Sequence, residues 1–256
     1  MDIHVPKDHP RYQSIAIREM LVEMANASVV APAGLIAHGR GEAFDYLFGE
    51  DTPPPAYEAI EAAAANLLTA THPVLSINGN AAALCPHQLV KLSEASGASL
   101  EINLFYRTLE REQAIAEVLY ESGAQEVLGI GDDASETISE VGSERRRVDP
   151  RGIGSADVVF VPLEDGDRTE GLRGMGKTVL TVDLNPLSRT SRKANISIVD
   201  NLMRAVPLLT EAVEKLKSRD EKELKKIVDN FSNQRNLKAC LDFIADRLYS
   251  FSFEGE

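Results

Sequence analysis

Apolar residues recur along the chain with two different periods, and the change between them divides it. In RYQSIAIREMLVEMANAS (11–28), Ile17, Met20, Leu21 and Met24 fall at three-and-four spacing, which predicts a helix opening after Pro10. After EDTPPP, the alanine-rich AYEAIEAAAANLLTA (56–70) predicts a second helix, with Thr52 as its N-cap and prolines in its first turn. From residue 73 the apolar residues come in short runs instead: PVLSI (73–77), SLEINLF (99–105), QEVLGI (125–130), ADVVFVP (156–162), KTVLTVD (177–183) and NISIV (195–199). Six buried strands are the expectation.

Helical patterns such as PHQLVKLSEAS (86–96) and RTLEREQAIAEVLYES (107–122) lie between several of these runs. That alternation predicts βαβ units, and hence an α/β fold with a Rossmann-like, doubly wound, mainly parallel sheet and helices on both faces. Beyond Asp200 two helices are expected, separated near Ser218. The second carries an apolar stripe through Leu224, Ile227, Val228, Phe231, Leu237, Leu241, Ile244 and Leu248, which suits packing on its own domain or on a sister subunit. The expected organisation is one α/β domain over 1–217 with a charged, amphipathic helical extension over 218–256.

Composition narrows the function classes. A chain of 256 residues with 43% hydrophobic content can bury a sizeable core, and a net charge of −13 argues against a nucleic-acid partner. Cys85 and Cys240 stand far apart with no metal-ligand spacing, which fits a reducing cytoplasm. No apolar run reaches the roughly 18 residues of a membrane span. A few converging arginines can still hold a small anion on an acidic protein, so individual polar stretches matter more than the total charge.

VLGIGDDA (127–134) matches a dinucleotide fingerprint, but Asp132 and Asp133 stand where a pyrophosphate would have to lie, and a tight turn is the plainer reading. A nicotinamide-dependent oxidoreductase is the alternative it would support. Three other stretches sit at expected strand ends, where doubly wound sheets bind ligands. In SINGNAAAL, Asn78 and Asn80 flank Gly79 ahead of a helix. In PLEDGDRTEGLRGMG, Glu164, Asp165 and Asp167 are candidates for magnesium and Arg168 for phosphate. In VDLNPLSRTSRKANISIVDN, Asp183 and Asn185 suit a ribose or base, and Arg189 with Thr190 suits phosphate oxygens. Near the N-terminus, HGRGE sets Arg40 between Gly39 and Gly41, so that the backbone can approach a ligand and Arg40 can clamp phosphate. His38 is a candidate acid or base, and Glu42 and Asp45 are candidate partners of Arg40 or of metal.

Taken together, HPRYQSIAIRE, VAPAGLIAHGRGEAFDYLFGE, SINGNAAAL, EINLFYRT, GSERRRVD, ADVVFVPLEDGDRTEGL and TVDLNPLSRTSRKANISIVDNLMRAVP closely resemble the archaeal phosphopantothenate synthetase (4-phosphopantoate:beta-alanine ligase) family, in unbroken order from about His9 to Lys217. The resemblance implies ATP- and Mg²⁺-dependent condensation of 4-phosphopantoate with β-alanine, releasing AMP and diphosphate, by a homodimer on the route to coenzyme A. It implies ATP contacts at Arg18, Arg40, Asp183, Leu184, Asn185, Arg189, Thr190 and Asn201, with Asp200 and Leu202 beside them. Asn78, Asn80, Asn103, Arg107 and Arg145 are the polar residues in matching motifs that would meet 4-phosphopantoate. A nucleotide-binding regulatory protein without catalysis is the other reading, and only product formation separates the two.

Overall fold

In the computed structural model, residues 5–9 and 11–252 are described; Pro10, which opens the first expected helix, lies outside them. The chain runs α1 (Tyr12–Asn26), α2 (Pro32–Phe48), α3 (Pro54–Thr69), β1 (Pro73–Ile77), α4 (Gly79–Leu84), α5 (Pro86–Ser96), β2 (Ser99–Ile102) and α6 (Leu109–Glu121). An insertion carrying β3 (Glu136–Thr137) and β4 (Arg147–Val148) follows. The order then continues β5 (Val158–Phe160), α7 (Gly166–Gly174), β6 (Thr178–Val182), α8 (Arg189–Lys193), β7 (Ile196–Ile198), α9 (Leu202–Leu216), α10 (Glu221–Asn230) and α11 (Asn233–Ser250).

Five strands pair in parallel in the order β2-β1-β5-β6-β7, while β3 and β4 form a separate antiparallel pair. The chain leaves β1 toward β2 on one side and then enters β5 on the other, so the strand order reverses between β1 and β5. Such a reversal opens a crevice at the carboxyl ends of the strands.

Alternation along each strand divides the core between the two faces. Leu75, Ile77, Leu100, Ile102, Phe160, Leu180 and Ile198 pack with the buried apolar residues of α3, α5 and α9. Val74, Val159, Val161 and Val179 pack on the opposite face against Leu172 of α7 and Ile138, Val148 and Ile153 of the insertion. Both faces are covered, which is why the strands read as continuous apolar runs. Each fully buried Leu or Ile contributes about 1.5–3 kcal/mol of gross stabilisation.

Several expectations are corrected. The run at 125–130 is not a sixth strand: it makes one parallel bridge, Leu128 beside Glu101, with Ile102 N donating to Leu128 O at 2.9 Å and Leu128 N to Leu100 O at 2.8 Å. Gly129 then turns the chain away at φ 80°, a conformation that ends an extended ladder and favours glycine. Thr52 does not cap α3, whose N-cap is Pro53; its hydroxyl instead donates to Asp200 Oδ2 at 2.7 Å. Beyond Asp200 the described residues form three helices rather than two. The additional break falls at Phe231–Ser232, because Asn233 is committed to the sheet edge: its Nδ2 donates to Ser191 O (2.8 Å) and Ala194 O (3.0 Å), and its Oδ1 accepts from Ser197 N (2.9 Å). Ser232 caps the helix that follows. Leu224 of α10 joins the main core, and Leu237, Cys240 and Ile244 of α11 pack with Phe48, Leu184 and Val199. The charged tail therefore backs Leu184 in the crevice.

Candidate functional site

A cleft of about 640 Å³ lies at the carboxyl ends of β1, β5 and β6, walled by α2, the starts of α4 and α9, and the turn into α8. HGRGE lies inside a helix. Pro32 opens α2, which runs without interruption to Phe48 and ends at the left-handed Gly49, so His38 and Arg40 are presented from a helix. Gly39 faces open space, and the nearest neighbour a side chain at Gly41 would meet is Leu184, at 3.9 Å. Arg40 lines the cleft and makes no ion pair or hydrogen bond among the described residues; its charge opposes the upward push that burial exerts on the Asp183 carboxyl. Burial lowers the pKa of His38, the nearby Glu42 opposing it, which favours the neutral imidazole.

At the β6 end the site is made of turns whose side chains satisfy one another. Asp183 accepts from Ser188 Oγ at 2.5 Å and from Asn185 N at 2.9 Å, and Asn185 Oδ1 accepts from Leu187 N at 2.9 Å. Pro186 cannot continue the ladder, so the chain turns into α8, capped by Ser188. Thr190 donates to Glu164 O at 2.8 Å, while Arg189 pairs with Asp167 and Glu170. Asn201 caps α9 through Met203 N (3.0 Å) and donates to Asp45 Oδ2 at 2.9 Å. Asp183, Leu184, Asn185, Arg189, Thr190, Asn201 and Leu202 are thus brought together with His38 and Arg40 in one cleft.

At the β1 and β5 end the same cleft is lined by Asn78, Gly79, Asn80, Tyr106, Arg111, Arg145, Leu163 and Glu164. Asn78 caps α4 through Ala81 N (3.0 Å) and donates to Pro162 O (2.8 Å), also reaching Leu163 O at 3.3 Å. Leu163, a non-glycine residue at φ 52°, is held in that strained turn by Asn78 and by its own N–H donating to Val182 O at 3.0 Å. Asn80 donates to Gly34 O at 2.9 Å, tying α4 to α2. Arg145 pairs with Glu164, whose other oxygen lies 2.5 Å from the fully buried Arg168. Burial and the neighbouring Arg168 push Arg145 down to about 9. Arg168 also donates to Ser76 at 3.0 Å and is shut away from any ligand, which corrects its candidacy for phosphate.

Four sequence candidates stand behind the cleft wall rather than in it. Arg18 reaches the wall through Glu42, at 2.9 Å. Asn103 donates to Arg145 O (3.1 Å) and Arg147 O (3.0 Å), and Arg107 donates to Gly129 O (2.6 Å) and Arg147 O (3.2 Å) and pairs with Glu112. Both fix the backbone that carries Arg145. Asp200 is buried against Arg204 at 2.7 Å, and Arg204 also holds Asp45 at 2.6 Å. Glu42 and Asp45 are therefore engaged by Arg18 and Arg204, not by Arg40.

The acids of 164–167 are likewise committed to Arg145, Arg168 and Arg189, and among the described residues no group of three or more His, Cys, Asp or Glu side chains is arranged to hold a metal. The residues do not form a ready-made metal site. The GIGDDA segment ends in a short 3-10 turn, Gly131–Asp133, with Gly131 N donating to Glu112 at 2.8 Å. No helix follows it to receive a pyrophosphate, and it does not line the cleft. Sequence reasoning missed Arg111, although its place near the start of the helix expected at 107–122 was a usable signal.

An open parallel sheet whose strand order reverses beside a cationic cleft defines a Rossmann-like α/β protein with its ligand site at the carboxyl ends of the strands. Sequence comparison then narrows the class. The profile of the family described as phosphopantothenate/pantothenate synthetase matches residues 55–247. The chain is 52% identical to a 4-phosphopantoate–beta-alanine ligase of Thermococcus kodakarensis, over 99% of this chain and 97% of that relative, and 51% identical to one of Thermococcus onnurineus over the same shares. A ligase of the same name from Methanosarcina mazei is 48% identical over 98% of both chains. The chain belongs to the phosphopantothenate/pantothenate synthetase family, an enzyme family of the ligase class. The similarity continues through the C-terminal helices, past Lys217, where the motif resemblance ends.

Proposed function

We propose that this chain is a 4-phosphopantoate–β-alanine ligase that uses ATP to form 4'-phosphopantothenate, AMP and diphosphate in coenzyme A biosynthesis. The observation that carries this reading is near full-length similarity to relatives named for that reaction, in a chain whose cleft gathers cations at both ends. A carboxylate is a poor electrophile. In this reading its oxygen attacks the α-phosphorus of ATP, diphosphate leaves, and the resulting acyl-adenylate is attacked by the β-alanine amine with loss of AMP and of the amine proton.

Arg40 would hold charge on the triphosphate, and the Asp183–Asn185 turn with Thr190 and Asn201 would receive the nucleoside. His38, favoured in its neutral form, is suited to take up the amine proton. Asn78, Asn80 and Arg145 would frame the acid. Catalysis on these terms is mostly positioning and electrostatic stabilisation. Because no carboxylate cage is present among the described residues, Mg²⁺ would be held chiefly by phosphate oxygens and water, as its coordination preference allows. A homodimer and a cytoplasmic location complete the reading, the second supported by two buried free thiols.

The test is incubation of the purified protein with ATP, Mg²⁺, 4-phosphopantoate and β-alanine, with mass spectrometry for phosphopantothenate and separation of AMP from ADP. Product with AMP, dependent on both organic substrates, is the expected result. Product with ADP would retain the ligase and replace the adenylate by an acyl phosphate. Folded protein that binds ATP and forms no product would be a nucleotide-responsive regulator instead.

A further inference from the structure

Four arginines line the cleft: Arg40, Arg111, Arg145 and Arg189. Arg145 is matched by Glu164, and Arg189 by Asp167 and Glu170. Arg111 has no carboxylate partner among the described residues. It reaches from the first turn of α6 and is fixed by backbone carbonyls alone, with Nε donating to Ser28 O at 3.3 Å, Nη2 to Val29 O at 2.9 Å, and Nη1 to Tyr106 O. Burial lowers its pKa, and no neighbouring acid opposes that.

A guanidinium carries five N–H donors, so these three bonds leave one on each terminal nitrogen. Those two remaining donors suit a bidentate contact to phosphate oxygens. The neutral carbonyls hold the side chain in place without neutralising it. Gly79 makes the approach possible, since a side chain there would collide with Val29 O and touch Arg111 Nη2 at 3.0 Å.

The position of this cation matters as much as its charge. Arg40 stands on α2, near Leu184 and Asp183 at the β6 end, whereas Arg111 stands beside Gly79 and Tyr106, where β1 and β2 end. A reaction that unites a nucleoside triphosphate with a phosphorylated acid must seat two polyanions in one cleft. The two cleft arginines that make no ion pair among the described residues are placed one for each. Building on the ligase reading above, we propose that Arg111 anchors the phosphate monoester of the acid substrate and is the residue that selects the phosphorylated acid over its unphosphorylated counterpart.

The test compares wild type, Arg111→Lys and Arg111→Gln, using steady-state kinetics and calorimetric titration with 4-phosphopantoate and with pantoate. For Arg111→Gln, KM and Kd for 4-phosphopantoate should rise about tenfold to a hundredfold, while KM for ATP and the binding of pantoate stay within about twofold. Arg111→Lys keeps the charge but loses the planar fork, so it should fall between the two. Equal losses for both acids, or unchanged binding of 4-phosphopantoate, would overturn the assignment, because a merely structural role moves both acids alike. If the Gln variant does not fold, the Lys variant carries the same comparison. If wild type makes no product, the ligase reading fails by itself. Weaker calorimetric binding of 4-phosphopantoate to the variants would then still support the anchor, and no binding to wild type would sink it.

Discussion

The two ends of the cleft are built on opposite principles. At the β6 end the polar groups are neighbours in sequence: Asp183 is satisfied by Asn185 and Ser188, and Ser188 in turn caps α8. At the β1 and β5 end they converge from distant segments, with Arg145 from the insertion, Glu164 from the loop after β5, Asn78 from the end of β1 and Arg111 from α6. The first end is centred on a local turn, Asp183 to Ser188. The second is an assembly in which each charge depends on the tertiary structure, so damage there should reach stability as well as binding.

Glu164→Gln should break this comparison most severely, since it leaves Arg145 and the fully buried Arg168 without the carboxylate they share. Removing one partner of a buried ion pair costs about 3–5 kcal/mol, so the urea midpoint should fall sharply. A midpoint within error of wild type would show that the pair adds nothing.

Glu101 gives the next largest effect. Burial pushes its carboxyl from an ordinary value of 4.5 up to about 7, against the N–H bonds from Ile153 and Asp149. The folded state therefore binds the proton more tightly than the unfolded one. Stability from this group is fully present below about pH 4.5 and is lost as pH rises through 7, by up to about 3 kcal/mol. Denaturation of Glu101→Gln across pH 5–8 should show a flatter profile than wild type.

Arg40→Ala tests the opposite case. It should lower ATP affinity about tenfold to a hundredfold, a change of about 1.5–3 kcal/mol, while stability stays within about 0.5 kcal/mol. Normal ATP binding by the folded variant would remove Arg40 from the site. Asn201→Ala removes the α9 cap and should cost about 1 kcal/mol of stability, read from the same urea curves. Smallest of all, Gly131→Asn should leave turnover within about twofold, since Asn tolerates the left-handed conformation there and the turn lies outside the cleft. Loss of ATP binding without unfolding would revive the dinucleotide fingerprint.

The contrast also explains what could be read in advance. The VDLNPLSRTS turn was legible because its bonds span only a few residues and its proline forbids a longer strand. The strands at 73, 99, 156, 177 and 195 were legible because burial on two faces leaves a continuous apolar run. The run at 125–130 looked the same but pairs only once, because Gly129 leaves the extended region. Glu42 and Asp45, read as partners of Arg40 or of metal, and the acids of 164–167, read as candidates for magnesium, are each engaged by an arginine. Their actual partners, Arg18, Arg204, Arg145, Arg168 and Arg189, are mostly remote in sequence and meet them only in three dimensions.

By itself the sequence determined the α/β class, the parallel sheet, the helices at 11–28 and 56–70 and the family, since each rests on periodicity or on a contiguous motif; the helix Pro32–Phe48 that presents His38 and Arg40 showed only in the structure. Tertiary structure alone decided which charges compensate each other. It broke the tail at Ser232, backed Leu184 with α11, and left Arg40 and Arg111 without an ion pair among the described residues, at opposite ends of one cleft. The reason is range: backbone preference and solvent exposure act residue by residue along the chain, whereas ion pairing and desolvation depend on which distant segments the folded sheet brings within a few ångströms.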